Sequence, residues 1–106
     1  MNDKVLALMG LCARAGKLQS GELPAEKSIK KGTAQLLVIA GDASDNTKKK
    51  FKNMAEYRDL PYFLYSDRET LGRAIGKEFR SVICITEEGF ATSIRKAFDK
   101  LQKMKI

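Results

Sequence analysis

A chain of 106 residues is long enough for one hydrophobic core and too short for two, so a single domain spanning 1–106 is expected. Twenty Lys and Arg against thirteen Asp and Glu give a net charge of +7, which suits an acidic partner, nucleic acid foremost, or keeps a protein monomeric by self-repulsion. Histidine is absent, which removes the commonest general base, the commonest zinc ligand and every Ser-His or Cys-His pairing.

No apolar run nears the roughly 20 residues of a membrane span, and no basic-then-apolar leader opens the chain. A cytoplasmic protein that does not engage membranes is expected. Cys12 and Cys84 are far apart, lack a CxxC partner and sit among apolar neighbours, the pattern of reduced, buried small side chains.

Asn2 or Asp3 caps a first helix with Val5, Leu8, Met9 and Cys12 on one face, and Gly16 ends it. Lys17–Ser20 is a short strand candidate. Ser20 or Gly21 opens a second helix that tolerates Glu22 and Pro24 in its first turn. Leu23, Ala25 and Ile29 form its thin apolar side, and Lys27, Lys30 and Lys31 point outward. Gly32 closes this helix in a left-handed conformation, with Lys30 and Lys31 at its negative end.

Leu36–Ala40 is an unbroken apolar run, the mark of a central strand covered on both faces. Gly41-Asp42-Ala43-Ser44 leaves its C-terminal end, where open α/β sheets usually place ligands. Ser44 or Asp45 caps a third helix whose Phe51, Met54 and Ala55 face the core. Lys48, Lys49, Lys50 and Lys52 crowd its first half, where acids are favoured. They read equally as a binding surface or as a solvated face. Leu60-Pro61 turns into the aromatic strand Tyr62–Tyr65.

Ser66-Asp67-Arg68-Glu69 has the spacing of a capping box, and the helix it starts, with Leu71, Ala74 and Ile75, stops at Gly76. The loop Lys77-Glu78-Phe79-Arg80 leads to the strand Ser81–Ile85. Thr86 caps a last helix carrying Phe90, Ile94, Ala97, Phe98 and Leu101, with Glu87 and Glu88 in its first turn; the tail from Lys103 to Ile106 is expected to fray. Nine alternating elements imply an α/β fold with a mostly parallel sheet between two helical layers.

Three loops carry residues suited to chemistry: Ser20–Pro24, Gly41–Ser44 and Gly76–Arg80. Helix N-termini and basic side chains hold phosphates, and an aromatic ring such as Phe79 can stack on an unpaired base or pack inward. Neither GxGxxG nor GxxxxGK[ST] occurs, and helix capping accounts for Asp42, Ser44 and Asp45 better than magnesium does. No cofactor or metal is expected.

Two blocks resemble the ribosomal protein L7Ae/L30e family, most closely its bacterial YlxQ-type branch. They are Lys30-Lys31-Gly32-Thr33-Ala34-Gln35-Leu36-Leu37-Val38-Ile39-Ala40-Gly41-Asp42-Ala43 and Leu71-Gly72-Arg73-Ala74-Ile75-Gly76, while Asp42-Ala43-Ser44 followed by Asn46-Thr47, and Gly76-Lys77-Glu78-Phe79-Arg80, look particularly like that branch. The resemblance implies a three-layer α/β/α sandwich around a four-stranded mixed sheet whose last strand is antiparallel. It also implies binding to kink-turn RNA, a bent duplex with sheared G·A pairs and an extruded nucleotide.

By position, the resemblance assigns RNA contact to Gly21, Glu22, Leu23, Pro24, Lys27 and Ser44, phosphate contact to Arg68, and the extruded nucleotide to the loop Lys77–Arg80, Phe79 included. Lys30, Lys31, Lys48 and Arg73 are further basic residues expected at the same surface. Two positions that are typically polar in the family's recognition loop fall on Leu23 and Pro24. Leucine offers no donor or acceptor to a base edge, so phosphate and shape contacts are expected to dominate.

The expected function is binding of structured, ribosomal RNA by a non-catalytic monomer, in ribosomes or their assembly. The alternative is a protein-interaction module that uses its basic face on an acidic protein, with Leu23 and Pro24 in contact.

Overall fold

The computed structural model describes residues 3–104, so Asn2 and the end of the tail lie outside the described residues. The elements are α1 (Lys4–Arg14), β1 (Leu18–Ser20), α2 (Glu22–Lys31), β2 (Leu36–Ile39), α3 (Asp45–Tyr57), β3 (Tyr62–Leu64), α4 (Arg68–Ala74), β4 (Val82–Ile85) and α5 (Glu88–Met104). Asp3 caps α1, its carboxylate accepting from the Leu6 amide at 3.0 Å. Gly32 closes α2 at φ 79, and its amide donates to the Ile29 carbonyl.

The sheet order is β1-β4-β2-β3, with β4 antiparallel to both neighbours and β2 parallel to β3. Alternation alone implied a mostly parallel sheet, and the correction lies in β4. The Gly76–Arg80 loop runs back along the short α4 to its start, where the Arg80 amide donates to the Arg68 carbonyl, so β4 begins at the end of the sheet where β3 finishes and runs opposite to the other three. The family resemblance anticipated this strand. The C-terminal ends of β1, β2 and β3 therefore share one end of the sheet with the start of β4.

β2 and β4 are buried along their whole length. α2 and α3 form one helical layer, and α1, α4 and α5 the other. Phe98 of α5 stacks on Phe63 at 3.8 Å between ring centroids, and Tyr65 meets both rings edge-on. These aromatics seat α5 on the β3 side. Cys12 and Cys84 are free and buried; burial pushes their thiols up to about 11 and about 12.

Two expected caps move by one residue. Ser66 has φ 59, and its carbonyl accepts from the Gly41 amide at 2.9 Å. That close approach bends Ser66 out of the extended conformation of a cap, and Asp67 caps α4 through the Thr70 amide at 2.7 Å. Thr86 extends the ladder instead, its amide donating to the Lys17 carbonyl. Glu87 accepts from the Phe90 amide at 2.8 Å at the start of α5.

Candidate nucleic-acid interface

The site grows from the start of α2. Gly21 takes φ 95, a conformation open to glycine, and donates to the Val82 carbonyl at 3.0 Å, which fixes the turn to β4. It supplies no side-chain cap. The first amides of α2 therefore stay available at the positive end of the helix, with Pro24 contributing none.

Glu22 is exposed, yet its carboxylate turns towards the start of α3. Its carboxylate accepts from Thr47 Oγ1 at 2.9 Å; Thr47 Oγ1 accepts from Ser44 Oγ at 3.0 Å, and Ser44 Oγ caps α3 by accepting from the Thr47 amide at 3.2 Å. This chain of hydroxyls ties the starts of α2 and α3 together, and Thr47 is only 7% exposed.

The Gly76–Arg80 loop closes the other side. A Cβ at Gly72 would lie 1.5 Å from the Glu78 carbonyl oxygen, so only glycine lets the loop backbone rest on α4. Arg80 Nε donates to Ser20 Oγ at 3.0 Å, and the Arg80 amide donates to the Arg68 carbonyl at 3.1 Å. Asp42 accepts from the Arg68 amide at 2.8 Å and lies 3.5 Å from the Arg68 guanidinium.

Ser20, Arg80, Arg68, Asp42, Ser44, Thr47 and Glu22 thus close a ring that passes through all four segments at this end of the sheet. Phe79 projects from the ring, 61% exposed.

The structure gathers most of the expected residues here: Gly21, Glu22, Leu23, Pro24, Ser44, Arg68, Lys77, Phe79 and Arg80. Lys27 and Lys48 stand one turn into α2 and α3, without an ion pair among the described residues. Leu23 leaves the core side expected for it and is 68% exposed. Ala25 and Ile29 share a helix face at i,i+4, whereas Leu23 sits about 200° round from Ala25.

Lys30 and Lys31 stand at the far end of α2, roughly 12 Å along its axis from Glu22. Lys30 and Lys50 both bind Glu26 at 2.8 Å, and their hydrogen bonds hold its carboxyl down at about 2. Arg73 pairs with Glu69 at 2.6 Å beside α1. Ser20 and Asp42, which the sequence placed in two of the three candidate loops, are structural members of the ring, and so is Thr47, to which it gave no role at the site. The Ser44-to-Thr47 spacing, a cap and its N3 residue, was the one available signal.

The family model described as ribosomal protein L7Ae/L30e/S12e/Gadd45 matches residues 3–94. The RNA-binding protein YlxQ of Bacillus subtilis is 41% identical over 92 residues, covering 87% of this chain and 92% of that protein. The RNA-binding protein YlxQ of Enterococcus faecium is 39% identical over 98 residues, covering 92% and 93%. A Bacillus halodurans protein described as of unknown function superposes with a TM-score of 0.89 at 36% identity, covering 92% of this chain and 99% of that one.

Proposed function

This chain belongs to the ribosomal protein L7Ae/L30e/S12e/Gadd45 family, and from that membership we propose that it binds structured RNA on the loop-rich end of its sheet, in ribosomes or their assembly. The observation that carries the reading is the ring of hydrogen bonds and connecting backbone, which holds an uncapped helix start, the exposed Phe79, and Lys27 and Lys77, neither in an ion pair among the described residues, on one rim. Two relatives named as RNA-binding proteins cover nearly the whole chain and support it.

Docking is electrostatic and steric, with no turnover. Lys27, Lys48 and Lys77 neutralise phosphates, the α2 amides receive a further phosphate oxygen, and Phe79 stacks on an unpaired base. Arg80 spends its Nε on Ser20 and a second guanidinium nitrogen on the Phe79 carbonyl, so it shapes the loop more than it reaches the RNA. The protein acts as a cytoplasmic monomer on ribosomal RNA. Leu23 and Pro24 contribute apolar contact, so any preference for a kink-turn rests on shape.

The test is a gel-shift titration of kink-turn RNA and a straight duplex at two salt concentrations. Binding is expected to weaken with salt, and Lys27→Gln should reduce the log–log slope by about one. Phe79→Ala should weaken the kink-turn more than the duplex. Leu23→Asn, which restores an amide at the apex, should raise the kink-turn preference by about tenfold. No binding to either RNA, or binding indifferent to salt, overturns the reading.

A further inference from the structure

The open edge of the sheet carries backbone donors and acceptors to which RNA binding gives no role. β1 is bonded to β4 on one side only. Its register pairs Leu18 with Ile85, Gln19 with Cys84 and Ser20 with Ile83. The bonds from Thr86 N to Lys17 O and from Gly21 N to Val82 O place Lys17, Gln19 and Gly21 in the bonded positions. The backbone N–H and C=O of Leu18 and Ser20 therefore point away from the sheet.

Nothing along Leu18-Gln19-Ser20 has the proline, charge or bulge that usually blunts an edge strand.

A furrow of about 640 Å³ runs between this edge and α2, lined by Gln19, Leu23, Pro24, Lys27, Lys31 and Thr86 among others. Gln19 lies on the α2 side of the sheet with its partner Cys84, whose Sγ is 3.7 Å from the Ala25 carbonyl oxygen. Leu23, Lys27 and Lys31 are four residues apart on one ridge of α2, a rise of about 6 Å per step. Alternate residues of a strand advance by about 6.6 Å, so a strand added to β1 meets the three in turn. Lys27 and Lys31 have no ion pair among the described residues, while neighbouring Lys30 is held by Glu26.

We propose that this furrow docks an extended acidic segment of a protein partner, which adds to β1 as an antiparallel fifth strand. An apolar side chain lies on Leu23 and Pro24, and carboxylates two and four residues further on meet Lys27 and Lys31. Because α2 returns antiparallel to β1, a strand antiparallel to β1 runs with α2 and reads apolar-x-acid-x-acid. A peptide backbone satisfies Leu18 and Ser20 with its own amides and carbonyls. A ribose-phosphate chain has no amide donors at that spacing, and a phosphate gains nothing from Leu23. Leu23, Pro24 and Lys27 also serve the RNA rim, and Ser20 anchors it through its hydroxyl; Lys31 and the backbone N–H and C=O of Leu18 and Ser20 take no part in it, and they separate this proposal from that one.

The experiment uses the full chain with a fluorescein-labelled nine-residue peptide carrying Val, Asp and Asp at alternate positions with Thr between them. A shuffled peptide of the same composition, its two Asp adjacent, is the control. The ordered peptide should bind about tenfold tighter by fluorescence anisotropy, and should slow amide hydrogen exchange at Leu18 and Ser20 about tenfold while leaving Gln19 unchanged. Lys31→Glu, a change at an exposed position, should weaken it about tenfold, and a peptide with Lys for its second Asp should recover binding to that variant.

Equal affinity of the two peptides, absence of binding, or unchanged exchange at Leu18 and Ser20 overturns the proposal. Protection of the same two amides by kink-turn RNA also overturns it, by giving the edge to the RNA.

Discussion

Thr47 makes three uses of one small side chain and its amide. It donates to Glu22, accepts from Ser44 and is itself bound by Ser44 at the helix cap. Thr47→Val keeps the shape and removes the hydroxyl, so the expected cost is about 1–2 kcal/mol, read as a lower urea midpoint at unchanged slope. Ser44→Ala removes the cap and costs about 1 kcal/mol. Because both act on one network, the double variant should lose less than the sum; strict additivity would show that the two hydroxyls work separately. Ser44 was legible as a cap from its place after the central strand, but the hydroxyl partner of Glu22 lies 25 residues downstream, beyond any local pattern. Leu23 misled the reading because hydrophobicity alone does not fix an angle round a helix. Its neighbours Ala25 and Ile29 define the buried side, and Leu23 falls opposite them.

Among the elements, α4 depends most on a single residue. Gly72 lets the Glu78–Phe79 backbone lie directly on the helix. Gly72→Ala gains helix propensity but forces that backbone away, and the expected net effect is a loss of about 1–3 kcal/mol. RNA affinity should fall with it, since the loop carries Phe79 and anchors Ser20 through Arg80. A stabilised variant with unchanged affinity would mean that the loop shifts freely. The run Leu71–Gly76 was legible as a helix with a glycine stop, and the resemblance marked its glycines as specific. The reason, a peptide group seated on Gly72, needs the loop in place. The caps of α4 and α5 moved for a related cause: Ser66 and Thr86 are claimed by neighbours distant in sequence, Gly41 and Lys17. Local capping signals rank candidates without showing which is already engaged.

For the molecule as a whole, pH tests the ion pairs and the burial together. The two lysines beside Glu26 hold its carboxyl at about 2, and backbone amides hold Asp67 and Glu87 below the usual range. Groups lowered in the folded state stabilise it above their unfolded values, and that contribution disappears as pH falls through the folded ones. Cys12, Cys84 and Tyr65 are raised, chiefly by burial, so their contribution holds below their unfolded values and is lost as pH rises past them. A plateau in Tm from about pH 5 to 8 is expected, with a fall towards about pH 2 and another above about pH 9. Glu26→Gln should shallow the acid limb. A Tm constant from pH 5 to 2 would contradict this reading. The α/β class and the element order were legible because apolar runs and helical periodicity alternate without interruption. The direction of β4 was not, because periodicity carries no direction; that came from likeness to a known family, and the place of β4 between β1 and β2 came only with the structure.

β1 and β2 share no ladder; they are joined only through β4, the last of the four strands in the chain. During synthesis the first 80 residues can form helices and the parallel β2–β3 pair, but β1 has no strand beside it until Val82–Ile85 arrives. The same event delivers Arg80 to Ser20. A chain that stops short of Val82–Ile85 therefore has neither a closed sheet nor a closed rim, and the two are completed in one step.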